Sequence, residues 1–182
     1  MEPTELTTER LLLRPFRLSD VDDVYAYASD EAWGQYLFAV PAPYTRQDAV
    51  SFVARTVLQD WEQRPAFAIQ LDAQVVGGIN LRIRPEQKVA EFGYSIARPH
   101  WGKGLVAEAA SAVIDWGFQS YDIAKIYALA DARNHQSIRV MEKLGMQREG
   151  LLRQNRYYRG EQVDEVLCSL LRKEWQAQRG GG

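Results

Sequence analysis

Trp101-Gly102-Lys103-Gly104-Leu105 separates two segments of different period. Before it, Glu91-Phe92-Gly93-Tyr94-Ser95-Ile96 alternates like a strand. After it, Val106 to about Gln119 carries apolar residues at helical spacing. Two glycines one residue apart at such a junction let backbone N–H groups close on an anion, and the helix N-terminus behind them adds its dipole. That geometry suits a pyrophosphate. The same residues also make an ordinary tight turn, and neither better-known phosphate fingerprint is met. A Walker loop wants a hydroxyl where Val106 stands. A dinucleotide fold wants Gly-x-Gly-x-x-Gly; Ala107 holds the third slot, but the surrounding strand–helix–strand context is wrong.

The 182 residues suffice for one domain with a core. Lys+Arg 22 against Asp+Glu 24 gives a net charge of −2, which does not fit a non-specific nucleic-acid binder. The single Cys168 excludes an internal disulfide, and with only His100 and His135 no metal site is expected. The polar start, Met1-Glu2-Pro3-Thr4-Glu5, shows no signal peptide, and no apolar run approaches the ~18 residues of a membrane span, so a cytoplasmic protein is expected. Residues 1–8 read as an N-terminal segment, 9–175 as one domain and 176–182 as a flexible tail.

Arg10 to Phe16 reads as the first strand. A short helix follows from Ser19, with Asp22 as its capping-box partner and Val21, Val24, Tyr25 and Ala28 on one face. Asp30 to Tyr44 is a loop rich in aromatics, and Thr45 caps a second helix. Phe67 to Leu71, Ile79 to Ile83 and Val89 to Ile96 form a meander, with Asp72-Ala73-Gln74 as a hairpin turn. After the helix behind Gly104 come a buried strand, Lys125 to Ala130, and a helix from Asn134 to Leu144 stopped by Gly145. Two strands, Gln147 to Tyr158 and Val163 to Leu171, close the chain around Arg159-Gly160. This is a mixed sheet with helices on its faces, an α/β or α+β sandwich.

Four segments together resemble the GNAT superfamily of acyl-CoA-dependent N-acetyltransferases, in its RimJ/RimL-like branch. They are Leu11-Leu12-Leu13-Arg14-Pro15-Phe16; Glu91 to Ile96; Trp101-Gly102-Lys103-Gly104-Leu105-Val106-Ala107-Glu108-Ala109; and Asn134-His135-Gln136-Ser137 with Glu142-Lys143-Leu144-Gly145-Met146. The resemblance spans residues 9 to about 173. It implies a single-domain fold with a mixed, mostly antiparallel sheet of about seven strands, splayed between Glu91–Ile96 and Lys125–Ala130. It implies acetyl-CoA as donor, coenzyme A as product and no metal. The acceptor it implies is a primary amine, a protein N-terminal α-amine or a small molecule. A resistance-type enzyme or a catalytically quiet acyl-CoA-binding module stand as alternatives, and a homodimer is compatible. Two positions depart from the superfamily pattern. Pro99 opens the phosphate loop without an N–H, and Met141 fills the slot of the usual acid tyrosine.

Acetyl transfer needs a neutral amine, and an alkylamine with a pKa near ~10 arrives protonated. Glu91 is the candidate base; it shares a strand face with Gly93 and Ser95, and superfamily members carry a glutamate in a similar place. An ion pair with Arg82 or Arg84 is the alternative. Glu149, Asp164 and Glu165 on the last strands are secondary candidates for the base, more often surface charge. Ser137 is the candidate for the group beside the leaving thiolate. Asn134 is a natural N-cap to which the resemblance adds a pantetheine contact. The resemblance also implies backbone pairing of the cofactor arm at Ser95, Ile96 and Ala97, with Arg98, Trp101, Gly102, Lys103, Gly104 and Leu105 around the phosphates. Trp33, Tyr36 and Tyr157 are candidates for an acceptor cleft, with core packing as the alternative. Cys168 reads as a core thiol.

Overall fold

The computed structural model describes residues 1–38 and 40–180. Its strands are β1 (Leu6–Thr7), β2 (Leu11–Pro15), β3 (Ala66–Leu71), β4 (Gln74–Arg84), β5 (Val89–Ile96), β6 (Lys125–Asp131), β7 (Gln147–Tyr158) and β8 (Glu161–Leu171). Its α-helices are α1 (Val21–Ala28), α2 (Arg46–Leu58), α3 (Leu105–Ser120), α4 (His135–Lys143) and α5 (Arg172–Gly180). The strand order is β1-β2-β3-β4-β5-β6-β8-β7. Neighbours run antiparallel at β1–β2, β2–β3, β3–β4, β6–β8 and β7–β8, and β5 runs parallel to β6. The expected mixed, mostly antiparallel sheet is therefore present, with β1 as an additional strand inside the expected N-terminal segment.

Two compact units partition these residues: Met1–Asn80 with Tyr94–Val113, and Leu81–Gly93 with Ile114–Gly182. The core of the first is built on Leu13, Val53, Phe67 and Ile69, all fully buried. Thr45 caps α2 as expected: its hydroxyl accepts from the Asp48 N–H at 3.2 Å, and the Asp48 carboxylate takes the Thr45 N–H at 2.8 Å. The other expected cap is corrected. Ser19 lies inside a 3-10 turn over Leu18–Asp20, where the Asp20 carboxylate accepts the Arg17 N–H at 2.7 Å. Asp22 instead pairs with Arg46. Asp20 is the better partner because Arg14, on the adjoining strand, supplies two more hydrogen bonds to it at 2.8 and 2.9 Å.

In the second unit, Leu81 and Ile83 of β4 are buried while Arg82 is exposed and Arg84 partly so, the period-two pattern of a one-sided strand. A Cβ added at Gly117 of α3 would come 2.7 Å from Leu81 Cδ1, so glycine lets helix and strand approach closely. α5 runs through Gly180, into the residues expected to form a tail; Gly181 and Gly182 lie outside the described residues. Trp175 stacks on Phe118 and donates its indole N–H to Asp115 at 2.7 Å, and Arg179 pairs with the same carboxylate. Arg172 donates to the carbonyls of Phe118, Tyr121 and Ile123 at 2.6–2.8 Å, closing the C-terminal end of α3.

Candidate active site

The glycine loop joins β5 to α3. Residues Arg98–His100 make a 3-10 turn, with the Ala97 carbonyl accepting the His100 N–H and the Arg98 carbonyl accepting the Trp101 N–H. Gly102 and Gly104 then take φ of 74° and 78°, the left-handed region that other residues enter at a cost. Gly102, Lys103 and Gly104 are exposed, and α3 begins at Leu105, which is buried. A Cβ at Gly102 would meet nothing within 4 Å, so the loop is open at that point. Behind the loop, Glu108 in the first turn of α3 accepts from Thr8 Oγ1 at 2.6 Å and from the Arg10 N–H and Nε at 2.8 and 2.7 Å. Arg10 Nη1 also donates to the Lys103 carbonyl at 3.0 Å. This brace lies far apart in sequence and was not foreseen.

The groups before the loop are partly committed. The Ala97 N–H donates to the Val76 carbonyl at 2.7 Å, the Trp101 indole N–H donates to the Ile96 carbonyl at 2.9 Å, and the Arg98 guanidinium pairs with Asp30 at 2.6 Å. Arg98 is thus engaged with the α1–α2 loop. Backbone groups of successive strand residues point to opposite edges. With the Ala97 N–H turned to β4, that of Ile96 turns to the other edge. Gly77 makes the β4 contact possible: a Cβ there would fall 2.3 Å from the Ser95 carbonyl oxygen and 2.9 Å from Ile96 Cα. Gly77→Ala should therefore displace this backbone and lower Tm by about 5 °C or more in a thermal melt, the range expected of overpacking against main chain.

Glu91 stands in the second unit on the half-buried face of β5. The parallel ladder pairs Val89, Ala90 and Glu91 with Lys125, Ile126 and Tyr127, and is recorded at those three positions of β5. The carboxylate's hydrogen bonds fall on Oε2, from the Tyr127 hydroxyl at 3.4 Å and Arg84 Nη2 at 3.3 Å, and the nearest approach of Arg82, Nη1 at 3.6 Å, is to the same oxygen. Oε1 takes no hydrogen bond among the described residues. The ion pair considered as an alternative to catalysis is present, and it leaves one oxygen open. Burial first, then the Glu91 charge, holds the Tyr127 hydroxyl above its usual range, so it is a neutral donor at neutral pH.

Asn134 caps α4, its Oδ1 accepting the Ser137 N–H at 3.1 Å, which puts Ser137 at the third helical position as expected. Met141, one face-turn on, is fully buried, and Gly145 ends the helix with φ of 73°. The turn into α4 is fixed by Arg133, which binds the buried Asp131 at 2.7 Å and Glu161 at 2.7 Å. That pairing holds the Asp131 carboxyl below its usual range.

Residues 10–147 match the family model described as an acetyltransferase (GNAT) domain. The chain belongs to the GNAT acetyltransferase family. It is 34% identical to the uncharacterized N-acetyltransferase p20 of Bacillus licheniformis, over 93% of this chain and 97% of that one. It is 26% identical to the spermidine N(1)-acetyltransferase of Escherichia coli K12, over 91% and 88%. Among solved structures, a GNAT-family acetyltransferase from Bacillus anthracis superposes with a TM-score of 0.83 at 29% identity, covering 94% of this chain and all of that one. The protein is an acetyl-CoA-dependent acetyltransferase, and the loop over Trp101–Leu105 fits the donor on the geometry given above.

Other candidate residues of the acetyltransferase have mixed placements. Trp33 is buried, its ring against Tyr27 and Tyr44, and its indole N–H finds no partner among the described residues. Tyr36 is partly exposed, and Tyr157 is 68% exposed. The His100 imidazole is held below its usual pKa by burial and then by Lys103. His135 is exposed. Cys168 is fully buried and burial pushes its thiol pKa up, in keeping with a core thiol.

The surface reading fails for Glu165, which is fully buried and accepts from Asn155 at 2.5 Å and Arg156 at 3.2 Å. Glu149 is bound by Lys125 at 2.7 Å and Ser169 at 2.5 Å, and Asp164 accepts the Gln154 N–H at 2.7 Å. Tyr127 and Arg10 were not anticipated as site residues. Tyr127's signal, a tyrosine inside a nearly apolar strand, became readable only with the β5–β6 register known. Among the described residues, no helix is long and apolar enough to cross a membrane, and no cluster of His, Cys, Asp or Glu forms a metal site.

Proposed function

We propose that the enzyme transfers acetyl directly from acetyl-CoA to a primary α-amine, in the manner of the RimJ/RimL-like branch, with a protein N-terminus as acceptor. The observation that carries this reading is the state of Glu91: one carboxylate oxygen held by Arg82, Arg84 and Tyr127, the other open. A base so restrained suits an amine that is easily deprotonated. An α-amine has a pKa of about 8, against ~10 for an alkylamine, so a larger fraction is already neutral at pH 7.

In this assignment Glu91 Oε1 takes the proton as the C–N bond forms and the thioester C–S bond breaks. Ser137 donates a hydrogen bond to the departing thiolate, which needs modest help because a thiol titrates near ~8.5. Trp101, Gly102, Lys103, Gly104 and Leu105 hold the pyrophosphate, with Arg98 placing the turn before it. The strand groups at Ser95, Ile96 and Ala97 and the cap residue Asn134 meet the pantetheine arm. Tyr36 and Tyr157 are assigned to the acceptor side, Trp33 to shaping the loop behind it.

The test is mass-spectrometric analysis of products formed from acetyl-CoA and a mixed library of peptide N-termini and small amines. Acetylation confined to α-amines supports the reading; acetylation confined to alkylamines such as spermidine overturns it in favour of a small-molecule enzyme. Gly102→Ala should raise the Kd of coenzyme A by roughly tenfold, because a side chain in the left-handed region costs about 1–2 kcal/mol and the free loop can relax out of that conformation while the bound loop must keep it. Calorimetric titration measures this, and an unchanged Kd would remove the loop from the cofactor site.

A further inference from the structure

Beside Glu91 there is more positive charge than Glu91 can neutralise. Arg82 and Arg84 leave the same face of β4, because Leu81 and Ile83 alternate with them into the core. Their side chains are 51% and 40% exposed. Arg84 gives Glu91 one hydrogen bond, at 3.3 Å. Arg82 stands at 3.6 Å, beyond hydrogen-bond length, and its guanidinium donates no hydrogen bond among the described residues. Each guanidinium carries five N–H donors, so most of theirs remain unused. The trio has two positive charges against one negative. Tyr127, which also meets Glu91, is neutral. The next charged pair on these strands, Lys125 and Glu149, is closed on itself and on Ser169. Nothing among the nearby partners offsets the surplus.

We propose that Arg82 and Arg84 form a docking site for a carboxylate carried by the acceptor close to its reacting amine. This rests on the assignment of Glu91 as the base. A planar guanidinium presents paired N–H groups that match a carboxylate, and two of them side by side accept it without drawing Glu91 away from the amine. Both arginines lie within 3.6 Å of Glu91. The acceptor's anion therefore belongs within the first residues of a peptide, or on the amino acid itself. An acceptor rich in ammonium groups meets the surplus charge as repulsion, so the site discriminates against polyamines as well as for acidic N-termini.

The experiment uses matched acceptors that differ in carboxylate against carboxamide: amidated peptides beginning Ser-Asp-Glu and Ser-Asn-Gln, and free glutamine and glutaminamide, which differ in the α-carboxylate, with spermidine as the cationic control. Binding is measured by calorimetry in the presence of coenzyme A, and turnover by thiol release from acetyl-CoA. The acidic member of a pair should bind roughly three- to tenfold more tightly, the size expected of two partly exposed ion pairs. Preference within the peptide pair alone marks a protein N-terminus as the acceptor; preference in both pairs admits free amino acids. The R82Q/R84Q double variant should abolish the preference and leave coenzyme A affinity unchanged. R82E/R84E should turn it toward spermidine.

Equal binding of acidic and neutral members overturns the docking site, as does a preference that survives in R82Q/R84Q. If the preference is present but Glu91→Gln turns over normally, the docking site stands and the base assignment falls.

Discussion

Glu91→Gln should lower kcat by about 10²–10⁴ while leaving coenzyme A affinity within about twofold of wild type, measured by thiol release at saturating acetyl-CoA and by calorimetry. The range is that of a general base removed from a reaction whose nucleophile arrives protonated. The substitution is nearly isosteric, so the strand is not disturbed. It exchanges an acceptor for an amide, and Arg82 and Arg84 lose their counter-ion, which would alone cost little at their exposure. Tyr127→Phe separates the two contributions. It keeps the ring and removes the hydroxyl that meets Oε2 at 3.4 Å. Loss of one such hydrogen bond corresponds to about 0.5–1.5 kcal/mol, a kcat reduction of roughly two- to tenfold. If Glu91→Gln retains a third or more of wild-type kcat, water or another group takes the proton.

The largest stability change is expected at Asp20. Arg14 and Asp20 are 5% and 3% exposed and joined by two parallel hydrogen bonds at 2.8 and 2.9 Å. Arg14 also reaches Gln70 on β3 and the Pro15 carbonyl, so its guanidinium is fixed from several sides and cannot swing out to water. Asp20→Ala leaves that cation buried without its partner and removes the acceptor of the Arg17 N–H. Breaking one side of such a pair costs about 3–5 kcal/mol, a fall in Tm of roughly 10 °C or more for a chain of this size. An apolar double replacement, R14M/D20L, should recover most of the loss, because two charges no longer need to be stripped of water. A melt of Asp20→Ala within about 3 °C of wild type would mean that the pair is solvated in solution.

Short-range features were readable from sequence. Thr45 with Asp48, and Asn134 with Ser137, are caps set by three-residue spacing, and the stop at Gly145 follows from its position after the last helical turn. Arg82 and Arg84 could be suspected of meeting Glu91 because one meander brings them together. Features that depend on register or on distant pairing were not readable. Tyr127 reaches Glu91 only because the crossover through α3 sets β6 parallel and in step with β5. Glu165 looked like surface charge because its partners, Asn155 and Arg156, come from a hairpin strand whose register shifts between Leu152 and Arg156. The brace of Arg10 and Glu108 joins residues 98 apart. The Ser19 cap failed because a competing carboxylate one position on had a buried arginine to hold it. The last helix was missed because glycines beyond it suggest a tail, while Trp175 supplies an anchor visible only once Phe118 and Asp115 are placed.

The clamp of Arg172 on α3 sets an order of events during synthesis. One carbonyl in the last turn of that helix and two just beyond it wait for a residue made about fifty positions later, the separation being 51 between Arg172 and Tyr121. A nascent chain that already carries the whole phosphate loop still has the far end of its helix open. Contacts of such long sequence separation form late and slow folding. Emergence of Arg172, rather than of the glycine loop, then marks the moment at which the helix behind that loop is complete.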